Sequence, residues 1–304
     1  MTEAREAPYK GMGTRLSRSA TLGRLRLFSR SIVPYLPLFA LLAYLFFLFV
    51  LPISKMFVLS IFDPQPTLEH YAHFFTVPLY SERLIFTLEV AAIVSLLCVV
   101  LGYPVAYLLT VASPWMRNVA LMMVISPLFI SILVRTYGWM AILGREGVVN
   151  NTLMGLGLIS SPLRIMHTTL GVYIGMVHVL LPYAILPTFS VMSGIDRVLL
   201  DAAQSLGARP LMAFMRVFFP LSLPGVAAGG LLIFMMALGF YVTPLLLGGP
   251  SDIMLANVID VQITTNIQWG FGAAISVILL MTSLMLFGIY NRFLGLDRLF
   301  GGLT

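Results

Sequence analysis

Residues able to do chemistry are few in this chain, and their spacing assembles no catalyst. The four histidines, His70, His73, His167 and His178, are scattered, with no His-Glu-x-x-His pair to hold a metal. The only lysines, Lys10 and Lys55, follow no Gly-x-x-x-x-Gly-Lys phosphate loop, so an ATP-driven step would need another chain to bind the nucleotide. Gly155-Leu156-Gly157 has no strand before it and is not a dinucleotide fingerprint. The single cysteine, Cys98, forms no internal disulfide. Neither paired aspartates nor a Ser/His arrangement for intramembrane proteolysis is visible. What remains is a sparse polar and aromatic set within apolar stretches: Glu89, Arg135, Tyr137, Trp139, His178, Phe240, Tyr241 and Asp260. A charge inside a membrane span is costly, so each one is a functional candidate. The chemistry open to such a set is attraction and passage of a solute, without bond making.

The elements that must position these residues follow from composition. The 304 residues are 59% hydrophobic and 10% charged, and the mean hydropathy is +0.97. A soluble domain is about 25% charged. This chain therefore reads as an all-α membrane protein. A span needs about 20 apolar residues to cross roughly 30 Å of hydrocarbon, and its backbone must be satisfied internally, hence helices. Six stretches qualify: 34–62, 84–111, 118–143, 168–192, 224–247 and 270–290. Pro52, Pro104, Pro127, Pro182 and Pro244 should bend or end them. The organisation expected is a basic tail (1–33), a first transmembrane helix (34–62), an outer loop (63–83), a core of five further helices (84–294) and a C-terminal segment (295–304).

Basic residues orient the chain. With the tail inside, thirteen lie on the inner side: Arg5, Lys10, Arg15, Arg18, Arg24, Arg26, Arg30, Arg117, Arg197, Arg209, Arg216, Arg292 and Arg298. Only Arg83, Arg145 and Arg164 lie outside. Both termini are thus expected in the cytoplasm. Leucines interleaved with the tail arginines fit an amphipathic helix on anionic lipid, so the net charge of +6 points to membrane rather than nucleic acid. A cleaved signal peptide is not expected, because no small-residue cleavage site follows Val50.

The longest inner loop, 194–223, is patterned. Asp196 suits an N-cap for a helix to about Leu206, and Gly207 suits a left-handed C′ position. Pro210 suits the first turn of a second helix, which Pro220 is expected to end. Such a hairpin transmits force only if something docks on it.

Here the sequence resembles a known family. Permease subunits of bacterial ABC importers carry Glu-Ala-Ala-x-x-x-Gly, nine residues, then Ile-x-Leu-Pro in this loop. The matching positions are Asp201, Ala202, Ala203, Gly207, Val217, Phe219 and Pro220. Asp201, Val217 and Phe219 depart mildly from the pattern. The resemblance implies that Asp201 orients the hairpin. It implies that Ala202 and Ala203 let the hairpin enter a cleft of an ATPase subunit, and that Gly207 shapes the turn. The plain alternative is a solvated helical hairpin.

A narrower resemblance, to spermidine/putrescine importer permeases, rests on Leu101–Tyr107, on Ser131–Met140 with Gly147–Asn150, and on Trp269–Ala274. It implies a multi-pass inner-membrane subunit working with a second homologous permease, two ATPase subunits that bind ATP and Mg, and a periplasmic solute-binding protein. Opine and other organic-solute importers are similar, and a secondary transporter or channel is the runner-up class. By the same likeness Phe240 and Tyr241 resemble gate residues; the bland reading is helix packing. Arg135, beside Tyr137 and Trp139, either snorkels to an aromatic belt or serves the path or binding-protein docking. Glu89 either attracts a cationic solute or pairs with Arg135. Asp260 and Pro244 depart from the polyamine pattern, with Pro244 where an acid can occur and Asp260 where a base can. Finally, Gly171-x-x-x-Gly175 and Gly225-x-x-x-Gly229 should permit close helix contacts.

Overall fold

A computed structural model describes residues 35–63 and 65–294. The basic tail, with its expected amphipathic helix, and segment 295–304 lie outside the described residues. The chain divides into two units, 1–58 and 59–304. In the first unit, residues 35–58 carry most of helix α1, Leu36–Ile61, which runs through Pro52 without a break.

Among the described residues, every regular element of the second unit is a helix, apart from one isolated bridge between Phe62 and Pro66. Segment 63–83, expected as a loop, instead holds α2 (Glu69–Thr76) and the opening turns of α3 (Pro78–Val111). Pro78 sits in the first turn, where its missing N–H costs nothing. At 34 residues α3 is about 50 Å long, well beyond the hydrocarbon thickness. It therefore reaches both ends of the bundle.

Five helices are long and apolar enough to cross a membrane: 37–61, 78–111, 169–193, 210–238 and 269–292. The remaining expected span, 118–143, is not one straight helix. Pro114–Phe129 and Ile132–Gly155 meet at a bend of 102°. The first arm is α4 (Pro114–Ile125) plus a 3-10 turn, and the second is α5 (Ile132–Leu143) with α6 (Val148–Gly155). Pro127 lies in the 3-10 turn, and Ile130 beyond it is extended.

The remaining elements are α7 (Thr169–Ser193), α8 (Val198–Ser205), α9 (Pro210–Ala213), α10 (Phe219–Leu238), α11 (Val242–Leu247), α12 (Leu255–Asp260) and α13 (Trp269–Leu294). Pro220 does not end its helix, as expected from the sequence; it opens α10. The preceding turn, Phe214–Phe218, is π-helical. Widening that turn accommodates a residue with no N–H to donate, and 210–238 continues as one span. Pro104, Pro182, Pro187 and Pro224 are likewise carried inside helices.

The core lies where α3, α7 and α10 meet. Val90, Val94 and Cys98 repeat at four-residue spacing on α3; Val172, Met176 and Leu180 do the same on α7, and Ile233 and Ala237 on α10. In lipid such contacts hold by close packing, so small residues matter more than large apolar ones. A Cβ added at Gly229 would lie 3.1 Å from the Ala184 carbonyl oxygen. At Gly225 it would lie 2.8 Å from Val191 Cβ and 3.0 Å from Thr188 Cα. At Gly175 it would meet Thr243 Cγ2 at 2.6 Å. Both Gly-x-x-x-Gly pairs therefore do the packing expected of them. Ser95 adds a hydrogen bond to the Gly230 carbonyl at 2.7 Å, joining α3 to α10.

Gly225→Leu is expected to lower the detergent melting midpoint by several degrees. Forcing a side chain against the α7 backbone costs about 1–3 kcal/mol or more. Gly288→Leu, where a Cβ meets nothing within 4 Å, should change it little. Equal melting of the two variants would remove the close-packing argument.

The end of the bundle remote from the 194–223 loop is fastened by polar groups. Asp252, 3% exposed, accepts from Thr169 Oγ1 at 2.6 Å and from the Gly249 amide at 2.8 Å. Thr87 accepts the Leu255 amide at 2.8 Å, and the Arg83 guanidinium donates to the Ser251 carbonyl. Fully buried Asn150 bonds the carbonyls of Gly144 and Leu163 and the Leu163 amide. These ties hold the non-helical connections at this end.

Candidate functional site

Two polar regions stand out, one at each end of the bundle. The first is the 194–223 loop. The Asp196 carboxylate accepts the Val198 amide at 2.9 Å, which starts α8 one residue later than a simple N-cap would. Gly207 has φ +91°, the left-handed conformation expected of it. The Gly207 amide donates to Gln204 and the Ala208 amide to Ala203, closing the helix end. Pro210 then opens α9.

The hairpin is anchored on one side and bare on the other. Phe214 and Phe218 stack on each other and meet Tyr107 edge-on at 5.2 and 5.5 Å. Phe219 packs on Tyr103 at 5.7 Å, and the Tyr103 hydroxyl bonds Ser222 at 3.0 Å. Arg197 Nη2 donates to the Thr110 carbonyl at 2.8 Å near the end of α3. A cavity of about 370 Å³ between hairpin and α3 is lined by residues including Asp201, Gln204 and Arg117. On the bare side Leu206 is 88% and Leu211 73% exposed, with Val198, Leu199 and Met215 beside them in sequence and also exposed. Large apolar side chains in this number on a loop rich in arginine mark a docking surface. Asp201, Ala202 and Pro220 are exposed, while Ala203 and Val217 are partly covered.

The second region is the break between α10 and α11. Helix α10 stops at Leu238, and α11 starts at Val242. Phe240 is 8% exposed and packed into the core. The Tyr241 hydroxyl donates to Asp260 Oδ2 at 2.9 Å, and Asn257 Nδ2 donates to the Tyr241 carbonyl at 3.0 Å. Asp260 ends α12 and is followed by a π-helical turn, Val261–Thr265. Pro244 occupies the first turn of α11 and is buried.

The other sequence candidates divide. Arg135 and Trp139, four residues apart on α5, share a face that meets α7, where Trp139 packs on His178 at 5.4 Å. His178 Nδ1 is buried without a hydrogen-bond partner. Arg135 Nε and Nη1 are in the same condition, so these atoms make no pair with Glu89. Tyr137 points away and is 57% exposed. Glu89 is exposed and lies about three turns inside α3, deeper than expected because the helix starts at Pro78.

These features agree with known proteins. Residues 98–294 match the model of the family described as binding-protein-dependent transport system inner membrane component. The chain belongs to this family. It is a multi-pass inner-membrane transport permease. It is 36% identical over 226 residues to the spermidine/putrescine transport system permease protein PotB of Haemophilus influenzae, covering 74% of this chain and 79% of that one. To the PotB of Escherichia coli K12 it is 38% identical over 226 residues, covering 74% and 82%. A crystal structure of a bacterial ABC transporter that imports the acidic polysaccharide alginate contains a similarly folded chain. The TM-score is 0.68 at 19% identity, covering 88% of this chain and 98% of that one.

Within the permease, sequence reasoning missed the aromatic anchor of the hairpin, the Arg197–Thr110 tie, and the clamps at Asn150 and Asp252. The signal for the anchor was present: Tyr103, Tyr107, Phe214 and Phe218 repeat at four-residue spacing. Arg197 to Thr110, 87 residues apart, left no sequence trace.

Proposed function

We propose that this permease is one of two homologous membrane subunits of an ATP-driven importer for spermidine and putrescine. The observation that carries the reading is its 36–39% identity to PotB permeases across 226 residues. The bent pair 114–155 counts as one span, giving six, with both termini in the cytoplasm. A periplasmic binding protein delivers solute to the outer end, where Asn150 and Asp252 hold the connections. Two ATPase subunits, binding ATP and Mg, close on the exposed hairpin 194–223. Asp201, Ala202, Ala203, Gly207, Val217 and Pro220 form the coupling unit. Through the Tyr103/Tyr107 anchor the push reaches α3 and α10, and alternating access opens the path past Phe240, Tyr241 and Asp260. Glu89, Arg135, Tyr137 and Trp139 belong to its outer half.

A polyamine suits this path because the Asp260 carboxylate, which accepts from the Tyr241 phenol, has further lone pairs to offer an ammonium group, and the Tyr241 ring offers a cation–π face. Membership in a binding-protein-dependent family favours this over a secondary transporter. The test is uptake of labelled spermidine and putrescine in cells lacking the chain and any redundant importer. Uptake should vanish on deletion and return on re-expression. Unchanged uptake would reassign the solute to another organic cation or an opine, with Pro244 and Asp260 as the marks of that difference.

A further inference from the structure

The largest anomaly in the bundle is a group of buried polar atoms that make no hydrogen bond to protein. They are Arg135 Nε and Nη1, His178 Nδ1 and Thr243 Oγ1. Buried polar groups are nearly always satisfied, so four such atoms call for an explanation. They are also neighbours. Arg135 shares a face of α5 with Trp139, which packs on the His178 ring at 5.4 Å. Thr243, fully buried, packs its methyl at Gly175, which shares a face of α7 with His178 three residues on. Helix α11, which carries Thr243, packs on both α5 and α7.

The chemistry of the set is uniform. The guanidinium is donor-only and permanently charged, a threonine hydroxyl donates one hydrogen bond, and a neutral imidazole can present one N–H. Nothing in the set supplies a negative charge to match the half-buried guanidinium, whose Nε and Nη1 are buried. The matching group is compact, anionic and rich in lone pairs.

We infer that Arg135, His178 and Thr243 form a seat for one small anion or carboxylate group, set directly beside the gate break at 239–241. The seat does not depend on which solute is imported. Filling it neutralises the fixed positive charge of Arg135 on α5, which packs against α11 just beyond the break, and so lowers the repulsion that a cation crossing the break would meet. The occupying charge comes either from a free ion or from an acidic side chain of another subunit.

The test uses the full-length chain in nanodiscs. Chloride or formate is titrated against gluconate, which is too bulky to enter, at constant ionic strength, and the melting midpoint is read. The midpoint should rise and saturate. Arg135→Gln should abolish the rise. Thr243→Val, which keeps the volume and loses the donor, should raise the half-saturating concentration about tenfold. Arg292→Gln, on the exposed end of α13, should leave the titration unchanged. Repeating the titration on the chain assembled with its partner subunits separates the sources. Persistence identifies a free ion, and loss identifies a subunit carboxylate already in the seat. A flat response of the wild-type chain, or a response unaltered in both Arg135→Gln and Thr243→Val, overturns the proposal and leaves water as the partner. If Arg135→Gln fails to fold, the shift in Thr243→Val decides.

Discussion

Replacing Gly207 by valine should reduce uptake at least tenfold while the protein still inserts and melts normally. The φ of +91° is one that a β-branched residue adopts only with strain of about 1–3 kcal/mol. A Cβ at Gly207 would meet nothing within 4 Å, so no clash with the bundle can explain a defect. The strain is relieved by opening the turn between α8 and α9. That turn displaces Leu206 from Leu211, the two most exposed apolar side chains of the docking face. The measurements are uptake, membrane abundance and co-purification with the ATPase. Loss of uptake with loss of co-purification places the defect in docking. Wild-type uptake by Gly207→Val would remove the coupling role of the hairpin.

Removing the charge of Asp260 should have an effect of similar size through a different parameter. Asp260→Asn keeps the side-chain volume and can still accept from Tyr241, but it offers no charge to an ammonium group. A hydrogen bond to a charged group is worth about 1.5–3 kcal/mol, so the KM for uptake should rise roughly 10- to 100-fold, with the maximal rate less affected. Tyr241→Phe loses one hydrogen bond at 2.9 Å, worth about 1 kcal/mol, and should raise KM only a few-fold. The double variant should resemble Asp260→Asn if the phenol acts by positioning the carboxylate. An unchanged KM in Asp260→Asn would make the pair a tie that holds the break closed, with no contact to solute.

The two variants draw on different amounts of sequence information. The left-handed turn at Gly207 was legible because cap, turn and helix lie within some twenty residues and follow backbone preferences of single residues, whereas Pro220, expected to end a helix, opens one. Asp260 and Tyr241 were singled out separately, one as a departure from the polyamine pattern and the other by likeness to gate residues. That they bond each other is a tertiary fact. Arg135, for which the sequence left open snorkelling or a role in the path, has two buried nitrogens without a partner, and that too is a tertiary fact.

Hydropathy determined the class of this protein and five of its helical spans, because the bilayer leaves a chain of this composition few alternatives. Residue preferences determined the docking turn, because a left-handed glycine needs only its own backbone. The bend of 102° between α4 and α5, the passage of 210–238 through Pro220, and the meeting of Tyr241 with Asp260 were decided by the tertiary structure. A proline alone weakens a helix without saying whether neighbours compensate. Whether it kinks, ends or merely widens a turn depends on the aromatic and small residues that pack around it, and these come from helices distant in sequence.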